Sequence, residues 1–183
     1  MSDEETVSDV PSESALSAVV PDAGTLDATS DEIVEASPET KSEVDPNTVK
    51  FNVMSIESVL FDLSDSSPLV HLIEEDMPYR YIAMPIALPE AVALHNALDK
   101  INGRRPGTHE VMAEVLRRLQ ADVIAARIVR YENGVFYAEL DLMTPRGHEL
   151  FDCRTSDALI VAARQTVRAP VLCAESVLQA FYA

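Results

Sequence analysis

Asn133-Gly134 falls between two β-rich runs, Val123 to Tyr131 and Val135 to Met143, and no other feature of the chain restricts its fold so tightly. A two-residue turn that follows the right-handed twist of its strands needs positive φ at both central positions, which Asn and Gly tolerate. The two runs are therefore expected to pair as an antiparallel hairpin. Thr144-Pro145-Arg146-Gly147 turns the chain again into His148 to Asp152, a short third strand of the same meander.

Upstream, Phe51 to Leu63 reads as a strand, Ser64 to Pro68 as a turn, Leu69 to Ile73 as a second strand and Tyr79 to Ile86 as a third. Pro89 and Glu90 suit the start of a helix with Leu94, Ala97, Leu98 and Ile101 on its apolar face and Asn102-Gly103 as its stop. Thr108 suits the N-cap of a second helix, with Val111, Met112, Val115, Leu116 and Leu119 on one face. Thr155 or Ser156 would cap a third, Asp157 to about Val167, which is apolar nearly all round and so expected to be buried. Pro170 to Cys173 reads as a last strand and Ser176 to Tyr182 as a short terminal helix. The expected class is α+β: one compact domain with a mostly antiparallel mixed sheet of about seven strands and about three main helices.

Composition sets where this domain begins. No aromatic residue precedes Phe51, and residues 1–50 carry 13 acidic side chains against Lys41 and Lys50. Such a segment has too little apolar surface to offset the entropy of ordering it, so a disordered acidic tail is expected. Residues 51–183 hold all ten aromatics with 18 acidic and 12 basic side chains, a net of −6, and are long enough for a single core. That balance disfavours a protein that coats nucleic acid by bulk charge, but not a nuclease with a locally basic groove. The tail lacks the basic start and apolar run of a signal peptide, and no stretch approaches the roughly 18 apolar residues of a membrane span. Cys153 and Cys173 have no metal-ligand spacing and are expected as reduced thiols, which points to a cytoplasmic protein.

Two loops carry the chemistry. Arg104-Arg105-Pro106-Gly107-Thr108-His109-Glu110 opens into the second helix, and Asp152-Cys153-Arg154-Thr155-Ser156-Asp157-Ala158 opens into the third. A helix N-terminus presents unpaired N–H groups and a partial positive charge, so it favours anions and capping oxygens. Capping accounts for Thr108 and Glu110. It does not account for Arg104 and Arg105, because cations beside the positive end of a helix need an anion nearby. In the functional reading Arg104 and Arg105 grip phosphate, His109 transfers a proton or ligates a metal, and Glu110 serves a metal or acts as base.

In the second loop Asp152, Arg154 and Asp157 place three charges beside an apolar helix, so they must pair or face a cleft. Either Arg154 pairs with Asp152 or Asp157, or the two carboxylates hold a divalent cation while Arg154 grips a phosphate. Both solutions are open on the residues alone. His95, His71 and His148 read as surface or packed histidines. Cys153 has no neighbouring base and reads as an inert small residue. Tyr79-Arg80-Tyr81 would suit base stacking, and strand alternation explains it equally well. There is no glycine-rich phosphate loop, paired-cysteine zinc pattern or nucleophile elbow.

The two loops, in this order and separated by a β-hairpin, resemble the bifunctional nuclease domain family, formerly a domain of unknown function. The resemblance spans about Asn52 to Leu178. Its marks are Met84-Pro85-Ile86 with Glu90-Ala91, the run Arg105 to Glu110, Phe136-Tyr137-Ala138, the run Asp152 to Ala158, and Pro170-Val171. Thr155 stands where the family usually has proline, ahead of Ser156-Asp157-Ala158. The resemblance implies a compact α+β domain, a wedge-shaped homodimer with a groove, and cleavage of both DNA and RNA. Taken with the loops, it implies a phosphodiester hydrolase assisted by Mg²⁺ or Mn²⁺. Asp152, Asp157 and Glu110 would be its metal or base carboxylates, His109 its proton-transfer group, and Arg105 and Arg154 its phosphate grips. The hydroxyls of Thr108 and Ser156 complete the substrate-binding set. A non-catalytic module that holds a phosphorylated ligand or a protein partner through the same loops is the alternative, and a purely structural role at the dimer interface is a third.

Overall fold

The chain runs β1 (Phe51–Leu60), β2 (Leu69–Glu74), β3 (Tyr81–Pro85), α1 (Leu88–Leu98), α2 (Thr108–Arg118), β4 (Asp122–Glu132), β5 (Val135–Thr144), β6 (Gly147–Arg154), α3 (Thr155–Arg164), β7 (Val171–Ala174) and α4 (Glu175–Phe181). The structure, a computed structural model, describes residues 49–61 and 67–182. All but the last two residues of the acidic segment, and most of the turn expected at Ser64 to Pro68, lie outside the described residues.

The expected α+β domain is found, with a seven-stranded sheet in the order β3-β2-β1-β7-β4-β5-β6. Each half is an antiparallel meander of consecutive strands, and β7 joins them, antiparallel to β1 and parallel to β4. The hairpin closes as its turn chemistry requires: Asn133 and Gly134 take φ of 51° and 81°, and Glu132 pairs with Val135. The third strand is shorter than expected, because Tyr79 has φ of 59° in a turn where its N–H donates to Asp76 O.

α3 is the centre of the fold. Ala158 through Ala163 are all buried, and the helix packs on β4, β5 and β6 through a core that includes Ile128, Ala138 and Leu140. Each fully buried side chain such as Leu159 or Ile160 contributes about 1.5–3 kcal/mol. α1 and α2 pack on α3. Of the apolar face of α2 only Leu116 is buried, while Val111, Met112, Val115 and Leu119 are exposed, Leu119 to 64%. Their helical spacing is that of a buried face, but α3 meets the helix along a narrower line.

Helix ends differ from the sequence expectation in a consistent way. α1 stops at Leu98 rather than at Asn102-Gly103: Lys100 takes the left-handed position (φ 56°), and the N–H groups of Lys100 and Ile101 donate to Ala97 O and Asn96 O. α2 ends identically, with Gln120 at φ 57° and Ala121 N–H donating to Leu116 O. The segment after α1 is then tied to the end of α3. Lys100 Nζ donates to Ala163 O and Gln165 O at 2.9 and 2.7 Å, and Arg164 Nη1 donates to Ile101 O at 2.9 Å. Cations at helix C-termini are favoured by the dipole, and here they anchor the chain that leads into the first loop.

Candidate functional site

The two loops meet. His109 Nε2 lies 2.9 Å from Asp157 Oδ1, so the first turn of α2 touches the first turn of α3. Asp157 also accepts a bidentate pair from Arg154, Nε to Oδ2 at 2.7 Å and Nη2 to Oδ1 at 3.0 Å. Arg154 Nη1 then donates to Glu90 Oε1 at 3.0 Å, which ties the start of α1 into the same network. Burial works to raise the Asp157 pKa, but the hydrogen bonds from Arg154 and then His109 outweigh it. The carboxyl therefore sits below its ordinary value and stays ionised. An ionised partner makes Nε2 the protonated ring nitrogen and leaves Nδ1 with a lone pair.

These groups open on a cavity of about 940 Å³ between α1, α2, α3 and β6. Arg105, Thr108, His109, Glu110, Asp152, Arg154 and Asp157, seven of the eight residues expected at a site, line it. Ser156 is buried and lines an adjoining cavity with Thr155 and Phe136 instead. Arg105 is exposed and pairs with no carboxylate among the described residues. Gly103, two residues before it, cannot carry a side chain without shifting the loop: a Cβ there would lie 3.0 Å from Arg105 O.

The expected caps are corrected. Gly107, not Thr108, occupies the N-cap of α2, and its N–H donates to Glu110 Oε2 at 2.7 Å. Arg154 occupies that position for α3. Thr155 Oγ1 donates to Phe136 O at 2.9 Å, so the residue that replaces the family's proline fastens the helix start to the hairpin.

The three carboxylates expected round a cation do not converge. Asp157 pairs with Arg154 and His109, and Glu110 pairs with Arg164 Nη1 at 3.1 Å. Asp152 lines the cavity from β6, in register with Glu139, and shares no cation site with Asp157 or Glu110. Among the described residues no three His, Cys, Asp or Glu side chains form a group able to hold a metal ion. The donor set thus does not fit a prebuilt Mg²⁺ or Mn²⁺ centre. Arg154 is held by two carboxylates, Asp157 and Glu90, while its side chain stays 66% exposed.

Glu90 and Arg164 were legible only as helix punctuation and a stray charge. Arg164 is the more telling: its side chain is 9% exposed in an otherwise apolar helix, and a buried guanidinium demands a carboxylate. Cys153 is inert as expected. Burial first, then the charges of Asp157 and Asp152, push its thiol up to about 11. Arg80 does not serve base stacking, since Glu74 and Glu175 clamp it at 2.9 and 2.8 Å. Among the described residues no helix is long and apolar enough to cross a membrane.

Comparison with known proteins agrees with the two-loop motif. The chain is 31% identical over 109 residues to uncharacterized protein MT1877 and to uncharacterized protein Rv1829, both of Mycobacterium tuberculosis. These matches take in 60% of this chain and 63% of each relative, so the chain spans less than two thirds of the length of the curated relatives it matches. The family model of the bifunctional nuclease domain matches residues 70–182, which includes both loops and every strand from β2 onward except the first residue of β2. The chain belongs to the bifunctional nuclease domain family.

Proposed function

We propose that the protein hydrolyses phosphodiester bonds of DNA and RNA, with His109 as the proton-transfer group. The observation that carries this reading is the 2.9 Å contact between His109 Nε2 and Asp157 Oδ1, in a cavity that Arg105 also lines. Asp157 fixes the tautomer, so Nδ1 accepts a proton from water. The hydroxide oxygen forms the new bond to phosphorus, the bond to the leaving oxygen breaks, and that oxygen takes a proton from solvent and departs as the alcohol. The imidazolium that forms is stabilised by the ionised Asp157, as it is in other carboxylate–histidine pairs. Arg105 offsets charge on the phosphate oxygens. Arg154 and Glu90 hold Asp157 in place. Because the carboxylates form no cage, no step runs through a metal. A divalent cation would enter with the substrate's own phosphates.

The working unit in this reading is a cytoplasmic homodimer. Val111, Val115 and Leu119 leave an apolar strip on α2 that a second copy would cover, and both cysteines are free. A non-catalytic module for a phosphorylated ligand is the second reading. It is favoured by the pairing of Arg154 and Arg164 to carboxylates, which leaves few cations open to a long polyanion.

The test is cleavage of labelled single-stranded DNA and RNA by the full chain, with Mg²⁺, Mn²⁺ or chelator, beside His109→Ala. A fall of about a hundredfold or more in a variant with unchanged melting temperature supports the hydrolase. Absence of cleavage under every condition leaves the binding module.

A further inference from the structure

The cavity beside His109 is walled by side chains that a sugar–phosphate backbone does not need. Val92 and Asn96, one turn apart, share a face of α1. His109, Met112 and Leu116 share a face of α2, and Phe151 comes from β6. Val92, Met112 and Phe151 are 44%, 47% and 47% exposed although they line a concave site. Apolar surface left wet in a concavity is recovered when a ligand covers it. The Asn96 side-chain amide makes no hydrogen bond among the described residues and lines the cavity.

We infer that this wall is a nucleobase subsite, an inference that rests on the nuclease reading of the same cavity. Phe151 stacks on the base, Val92 and Met112 enclose it, Asn96 reads its edge, and Arg105 holds the attached phosphate. A flat apolar ligand with a hydrogen-bonding rim is what an aromatic ring beside an amide recognises. The anionic part of the ligand is set by Arg105, which has no carboxylate partner among the described residues. A volume of about 940 Å³ lies at the upper end of small-molecule sites and holds a whole nucleotide. An acyl chain would fill the apolar wall but use neither the Asn96 amide nor the Arg105 guanidinium. A base enters this pocket only when it is unpaired, so single strands are preferred to duplex.

The experiment is equilibrium binding to the full chain of adenosine 5′-monophosphate, ribose 5-phosphate and dodecyl phosphate, without turnover. Adenosine 5′-monophosphate is expected to bind about tenfold more tightly than ribose 5-phosphate. Phe151→Ala closes that gap to about twofold, and the residue is exposed on an edge strand, so the variant folds. Arg105→Ala weakens both ligands alike. Equal affinities in the parent protein, a gap that survives Phe151→Ala, or tighter binding of dodecyl phosphate would each overturn the subsite. A chain that keeps the gap yet cleaves no nucleic acid has lost only the nuclease reading. A chain that cleaves but shows no gap has lost only the subsite.

Discussion

Arg164 Nη1 lies 3.1 Å from Glu110 Oε1, and through that contact the buried helix α3 holds the first turn of α2 in place. Both side chains are largely buried, so neither can lose its partner without leaving a charge in the interior. His109 is the residue before Glu110, so the position of its ring depends on this pair.

Arg164→Met is accordingly expected to destabilise the fold by about 3–5 kcal/mol, read as the shift of the urea midpoint. Adding Glu110→Gln should recover part of the loss, because the orphaned carboxylate is then gone. An unchanged midpoint in the single variant would show that the pair holds nothing.

Asp157→Asn keeps the size of the side chain and removes its charge. Cleavage should fall about a hundredfold or more, since an amide no longer fixes the His109 tautomer or stabilises the imidazolium. The carboxyl of Asp157 sits below its ordinary value, so its contribution to stability is present above that ordinary value and fades as pH falls through the lower one. The variant should therefore lose stability near pH 7 and lose less of it at low pH, checked by thermal melts across that range.

The Arg80 clamp predicts a second acid transition. Hydrogen bonds from Arg80 hold the Glu74 carboxyl low, and Arg80 followed by Asn52 hold Glu175 down at about 2. Groups with depressed values stabilise the fold fully above the ordinary glutamate range and cease to do so as pH falls towards the depressed ones. Melting temperature should thus drop between about pH 5 and pH 2. In Arg80→Met that dependence should flatten or invert, because protonation then relieves a buried Glu74.

Mn²⁺ titrated into the protein alone should show no saturable site, by calorimetry or by paramagnetic line broadening at His109. Asp157 and Glu110, two of the carboxylates expected to gather round a cation, are paired with arginines instead. A stoichiometric Mn²⁺ site in the free protein would reverse this.

Deleting residues 1–48 removes 13 acidic side chains and only Lys41. Nucleic-acid affinity should rise several-fold at low ionic strength, and the difference should vanish as salt is raised. Equal affinities at low salt would show that the segment does not screen the site.

What the sequence made legible followed from chemistry that is local. Asn133-Gly134 fixed the hairpin, and the apolar run after Asp157 could only be a buried helix. The pairing of the two loops was not local: nothing in the spacing of His109 and Asp157 says that they touch. The stop of α1 falls before Asn102-Gly103 because Lys100 accepts the left-handed position usually given to glycine. The expected gathering of carboxylates is not found among the described residues for a related reason. Carboxylates were counted without the arginines of other elements, and Arg164 claims Glu110 while Arg154 claims both Asp157 and Glu90.

The placement of β7 bears on how the chain folds during synthesis. The two meanders are each built from consecutive strands, yet among the described residues the ladder between them runs through Val171–Ala174, which follow every other strand in the chain. Until those four residues emerge, β1 and β4 each present an unpaired inner edge, and the two halves can pair with neighbouring nascent chains instead. Closure of the sheet therefore waits for the strand that is last in chain order, and a chain cut before Val171 is expected to be left with two sticky half-sheets in place of one closed sheet.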